Sequence, residues 1–212
     1  DKDKKPISRK VAAKALTALL TRQFQALSPQ WAPFLGGTAS CSVPLVKEMP
    51  AGGADKVLAW PAVALPLVVA GGFQGRFLLL FSSADASTLA AAAGRPAPAE
   101  GGVDAEGLAK FMEPFTAQAA QAFRKGEEKD AEVKVSSEAA LALASAEKLP
   151  ETGVATDGWL AEIKLALATG VDAKSVLIRL LIPLDLGSAL AEAHKAVQTV
   201  AAPKAVKGSI LV

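Results

Sequence analysis

Phe77-Leu-Leu-Leu-Phe81, followed by Ala84-Asp85, has a counterpart in Val176-Leu-Ile-Arg-Leu-Leu-Ile182, followed by Leu184-Asp185. Upstream, Trp60-Pro-Ala-Val-Ala-Leu-Pro-Leu67 answers Trp159-Leu-Ala-Glu-Ile-Lys-Leu165. Downstream, Thr88-Leu-Ala-Ala-Ala92 answers Ala189-Leu-Ala-Glu-Ala193. The three pairs keep one order and lie about 100 residues apart, the pattern of an internally duplicated chain. An amphipathic segment precedes each set: Val11 to Leu27 in the first half and Leu108 to Phe123 in the second. Each half therefore reads as a long helix, two or three strands and a shorter helix.

The individual elements follow from periodicity. Ala12, Leu16, Leu19, Leu20, Phe24 and Leu27 recur at helical spacing, and Ser28-Pro29 is read as the end of that helix. Strands are expected around Thr38–Val46, Val57–Val69 and Gly75–Phe81. In the second half Trp159, Ala161, Ile163, Leu165 and Leu167 alternate with Glu162 and Lys164, the period of a strand with one covered face. Gly170-Val-Asp172 reads as a hairpin turn into Ser175–Ile182, Pro183 as the stop of that strand, and Asp185 or Ser188 as the cap of the last helix.

The expected fold is α/β and pseudo-twofold, with the long helices packed on one shared, mainly antiparallel sheet. Residues 10–196 form a single domain of two repeats, about 10–94 and 103–196, joined through Gly94 to Gly102. Residues 1–9 read as a basic tail, and 197–212 as a tail leading to a further domain.

Composition narrows the function classes. The chain has 212 residues, 51% of them hydrophobic and 21% charged, with 45 alanines and no tyrosine. It has ample material for a core and is too apolar for disorder. A net charge of +2 does not suggest nucleic acid as a partner. One cysteine and one histidine exclude an intrachain disulfide and argue against a zinc site, so neither metal nor cofactor is expected. No uninterrupted apolar run reaches the ~18 residues that suggest a membrane span. With no secretory signal in the chain as given, a cytoplasmic location is expected.

The block from Gly75 to Ala90, a glycine, an apolar run and then Asp85-Ala-Ser-Thr-Leu-Ala90, resembles the CheC, CheX and FliY chemotaxis family and the related middle domain of the flagellar switch protein FliM. Leu16 to Leu35 followed by Ala39-Ser-Cys-Ser-Val43 also resembles the FliM-type start. The resemblance covers about residues 10 to 196 and implies helices against a shared antiparallel sheet. It also implies a motor-switch or chemotaxis scaffold at the cytoplasmic face of the flagellar motor. The implied partners are other flagellar switch proteins such as FliN, type III export proteins, and CheY. The alternative it leaves open is a CheC-like phosphatase of phosphorylated CheY with an altered site.

In phosphatase members the site is a helical motif: Asp or Ser, three residues, Glu, two residues, Asn. Glu and Asn at i and i+3 share a helix face, and the amide orients the attacking water. Laid on this chain, the Glu falls on Glu113, the Asn on Thr116 and the leading position on Ala109. Threonine cannot present an amide donor and acceptor together. Pro114 is expected to disturb the helix there. The first half offers Thr17 and Leu20, which make no site.

The remaining candidates have plainer readings. His194 sits near the end of the last helix, where the helix dipole favours a cation. Cys41 reads as a buried, inert thiol. Gly71-Gly-Phe-Gln-Gly75 lacks the lysine and the following helix of a phosphate loop and reads as a turn. Arg124-Lys-Gly-Glu-Glu-Lys-Asp130 reads as a solvated charge run. Trp31, Trp60 and Trp159 read as core or subunit-contact residues, with Trp60 and Trp159 related by the pseudo-twofold.

Overall fold

The computed structural model describes residues 6–35, 38–50, 52–92, 105–124, 132–155, 157–169 and 172–194. The linker from Gly94 to Gly102, most of the charge run after Arg124, and the C-terminal tail lie outside the described residues.

The first half comprises α1 (Arg9–Leu35), β1 (Thr38–Cys41), β2 (Leu45–Met49), α2 (Ala54–Val57), β3 (Ala62–Gly71), β4 (Gly75–Ser82) and α3 (Ser83–Ala92). The second comprises α4 (Ala105–Ala122), β5 (Val133–Ser137), β6 (Leu141–Leu143), a 3-10 helix (Ala146–Thr152), β7 (Gly158–Thr169), β8 (Asp172–Pro183) and α5, helical over residues 184–194.

The strands form one eight-stranded sheet in the order β1-β7-β8-β4-β3-β5, with β2 also on β7 and β6 also on β3. Every pairing is antiparallel. Strands of both halves thus lie in one sheet, with the main core on one of its faces. Exchanging β1–β4 with β5–β8 leaves the strand order unchanged, so the topology is compatible with the reading of two repeats.

Its centre lies between β4 and β8, where Leu79 pairs with Leu180, flanked by Leu78 with Leu181 and Leu80 with Arg179. Exchange of the halves therefore carries Leu79 onto Leu180, and with it Phe81 onto Ile182. Phe81 pairs with Val63, whereas Ile182 pairs with Trp159. The counterpart of Trp159 is therefore Val63, and the expected match of Trp60 with Trp159 is corrected. Trp159 is buried in the main core, whereas Trp60 packs on the small cluster across the sheet.

Alternation decides which face each strand residue enters. Val63, Leu65, Leu67 and Val69 of β3, Phe77, Leu79 and Phe81 of β4, and Trp159, Ile163 and Leu165 of β7 meet the buried faces of α1 and α4. Ala64, Leu78, Leu80, Leu160 and Leu181 point the other way, to a smaller cluster closed by Met49, Leu58, Leu149 and Val154. Glu162 of β7 joins a partly buried charge cluster, 3.5 Å from Arg179 and 3.7 Å from the more exposed Lys47. Gly71 to Gly75 turn β3 back into β4, as expected.

Several boundaries differ from the sequence reading, among them the strand expected over Thr38–Val46, which is two, Thr38–Cys41 and Leu45–Met49. α1 does not stop at Ser28-Pro29 but continues through Pro29 and Pro33 to Leu35. The reason is tertiary: Trp31 is fully buried, and its indole Nε1 donates to the Phe111 carbonyl at 2.9 Å. Val57 ends α2 rather than starting a strand, and β3 begins at Ala62. Asp185 and Ser188 lie inside the helical stretch rather than capping it. At the other end of the chain, Ser8 caps α1, its Oγ accepting from the Val11 N–H at 3.3 Å. Among the described residues no helix is long and apolar enough to cross a membrane.

Candidate functional site

α4 is amphipathic, and Leu108, Phe111, Met112, Phe115 and Ala119 form its buried face. Phe115 lies 5.4 Å from Phe24 and 6.4 Å from Phe77, ring centre to ring centre, and Phe111 stacks on Trp31 at 5.2 Å. These contacts hold the helix through Pro114. The proline removes the donor that would meet the Lys110 carbonyl, yet α4 is one element from Ala105 to Ala122. The disturbance expected at Pro114 does not interrupt the helix, which runs on to Ala122, one residue short of the end read at Phe123.

On this helix Glu113 is exposed and Thr116 half-buried, one turn apart. The Thr116 hydroxyl donates to the Met112 carbonyl at 3.3 Å, so its proton is engaged within its own helix. Ala109, one turn before Glu113, brings no polar group. In α1, Thr17 donates to the Ala13 carbonyl at 2.7 Å and Leu20 is buried. Thus neither long helix presents a side-chain amide at the position where the motif needs one.

Cys41 is half-buried on β1, and its Sγ accepts from the Ser28 hydroxyl at 3.4 Å. Burial pushes its thiol pKa up, and the Ser28 hydrogen bond offsets this in part. A raised pKa leaves less thiolate at neutral pH. Alkylation by iodoacetamide at pH 7.5 is therefore expected to run at least ~10-fold slower on the folded protein than in denaturant. Equal rates would show that the thiol is freely presented.

His194 is buried rather than solvated. Burial lowers its pKa, a hydrogen bond with the Phe123 backbone works against this, and Arg22 lowers it further. Burial and Arg22 thus work against the cation expected at the helix end and favour the neutral imidazole.

Sequence reading missed one group entirely. Gln23 sits in the buried stripe of α1, between Leu20 and Phe24, and is 1% exposed. A lone amide at a core position of an otherwise apolar stripe is a signal legible in the sequence. With Arg22, Gln118, Gln121, Arg124 and His194 it lines a cavity between α1, α4 and α5.

Two long helices and a symmetric antiparallel sheet define an α/β domain of mixed, curled-sheet architecture. Its fold is that of the flagellar switch protein FliM, in its middle domain, and of FliY. FliY of Thermotoga maritima matches with a TM-score of 0.68 at 12% identity, over 90% of this chain and 98% of that one. The FliM middle domain of H. pylori gives 0.65 at 12% identity, over 88% and 99%. FliM of H. pylori in its complex with FliG gives 0.56 at 12% identity, over 82% and 93%. No protein-family model matches the chain, and no curated protein matches its sequence.

Proposed function

We propose that this chain is a non-catalytic scaffold of the flagellar switch and chemotaxis system, acting through protein–protein contacts. The observation that carries the reading is the shared fold, which spans nearly all of the solved FliY and FliM middle-domain chains. The state of the two helix sites favours binding over catalysis. Orienting a water for attack on an acyl phosphate needs a donor and an acceptor at one fixed point. Thr116 has its proton engaged by Met112, and Leu20 is buried and apolar. Exposed Glu113 keeps the anchoring half of the motif without the water-orienting half.

In this reading the partners are other switch proteins or type III export proteins, and CheY through the Glu113 face of α4. FliM of H. pylori has been solved in complex with FliG, which makes a FliG protein the first switch partner to try. The location is the cytoplasmic face of the flagellar motor.

The test uses the FliG and CheY proteins of the same organism. Saturable binding of at least one to the 212-residue chain is expected. The decay of phosphorylated CheY is expected to stay within about twofold of its spontaneous rate, since positioned acid–base groups account for ~10²-fold or more where they operate. Acceleration of that size would replace the scaffold with the CheC-like phosphatase reading. Binding to neither partner would remove the scaffold reading.

A further inference from the structure

The cavity between α1, α4 and α5 has a volume of about 540 Å³, within the range of small-molecule sites. Its described lining holds two cations, Arg22 and Arg124, and no carboxylate. Both arginines are exposed, and among the described residues neither forms an ion pair. Gln118 and Gln121 add amides from α4.

Deeper in, the polar groups lack partners. Gln23 is 1% exposed, and both its Nε2 and its Oε1 are buried without a hydrogen bond. His194 is 7% exposed, and its Nε2 is likewise buried and unpartnered. The Phe123 backbone acts on the ring from the side of its other nitrogen, which leaves Nε2 free to accept a hydrogen bond. Buried polar groups in native proteins are normally satisfied, so three unsatisfied atoms on one cavity point to an occupant.

The arrangement has a direction. Guanidinium groups stand at the exposed end and favour an oxyanion in forked, charge-assisted hydrogen bonds. At the buried end an amide donates and accepts, and an imidazole nitrogen is free to accept. The complementary molecule carries an anionic group at one end and a hydroxyl at the other. We propose that this cavity is a binding site for a small oxyanion bearing a hydroxyl group, a phosphate monoester or a hydroxycarboxylate. It is separate from the Glu113 and Thr116 positions: Gln118, Gln121 and Ala122 lie on another face of α4. The proposal does not depend on the switch reading and stands or fails whatever protein the chain binds.

The test is a titration of the 212-residue chain, labelled with ¹⁵N, at constant ionic strength. The probes are glycerol 3-phosphate and malate, with sodium chloride as control. Saturable shifts at the Gln23 side-chain amide and the His194 ring are expected with at least one oxyanion, and which one saturates identifies the headgroup. The double variant Arg22→Gln/Arg124→Gln alters exposed side chains only, and its amide spectrum checks the fold. Its dissociation constant is expected to rise about tenfold or more, as charge-assisted contacts are lost. His194→Gln and Gln23→Leu should each weaken the same response. If the cavity holds only water, neither oxyanion will saturate below about 10 mM, and the proposal falls. An equal response to chloride, or an unchanged affinity in the double variant, would also overturn it.

Discussion

Trp31→Ala is expected to destabilise the fold by about 3–5 kcal/mol, the range for removing a large aromatic side chain from a core. Trp31 is fully buried, stacked on Phe111 with an interplanar angle of 15° and tilted against Phe24 at 6.3 Å. Its indole also donates to the Phe111 carbonyl. The last turns of α1 contain Pro29 and Pro33, and a helix-interior proline costs ~3 kcal/mol when nothing compensates. Trp31 lies between the two prolines and is a buried side chain that ties this stretch to α4. Its loss should therefore also unwind the helix beyond Ser28, seen as lost helical ellipticity and faster amide exchange at 30–35. Trp31→Phe keeps the stacking surface and loses the hydrogen bond, so it should fall between wild type and alanine, with the bond itself worth ~1 kcal/mol. Urea denaturation followed by circular dichroism gives the numbers. A loss below ~1 kcal/mol for Trp31→Ala would show that local sequence, not the core, holds the end of α1.

Gly158→Ala is expected to cost about 2–5 kcal/mol, from overpacking and from an unfavourable positive φ together. Gly158 opens β7 with φ +154° and is paired to Met49 on one side and Pro183 on the other. A Cβ placed there would stand 2.1 Å from the Ile182 carbonyl oxygen and 2.9 Å from the Leu184 nitrogen. Both obstacles are backbone, held in the sheet and at the start of α5, so neither can swing aside as a side chain would. Gly52→Ala separates the two contributions. Gly52 has φ +76° but open space around it, so only the conformational cost of ~1–2 kcal/mol should appear. Equal losses for the two variants in the same denaturation experiment would mean that the sheet yields at β8.

The second half was more legible than the first, for a physical reason. β7 has one face on the main core and one partly in water over much of its length, so Ile163 and Leu165 alternate with Glu162 and Lys164 in the sequence itself. β3 and β4 are covered on both faces, and their apolar runs carry no alternation to show where they begin. The strand start was therefore read too early, at Val57 instead of Ala62. The end of α1 was misread because Ser-Pro is a sound local stop signal, and a contact some 80 residues away overrides it. The tryptophan pair was mismatched for a related cause: aligning like with like ignores register, and register assigns Val63 to the place of Trp159. At the motif helix, residue types alone showed what Thr116 lacks, whereas the unbroken course of α4 past Pro114 depends on Phe111 and Phe115 being anchored.

The class of fold, the two long helices, the β7–β8 strand pair and the absence of an amide at the motif position were all legible in the chain before folding. Each follows from side-chain type and spacing along a short stretch, which is where hydrophobic period and functional-group chemistry reside. The strand order, the counterpart of Trp159, the persistence of helix through Pro29 and the meeting of Gln23, Arg22 and Arg124 with His194 emerge only in the folded molecule. These depend on contacts between residues far apart in the chain, and no local pattern encodes which distant surfaces will meet when the core closes.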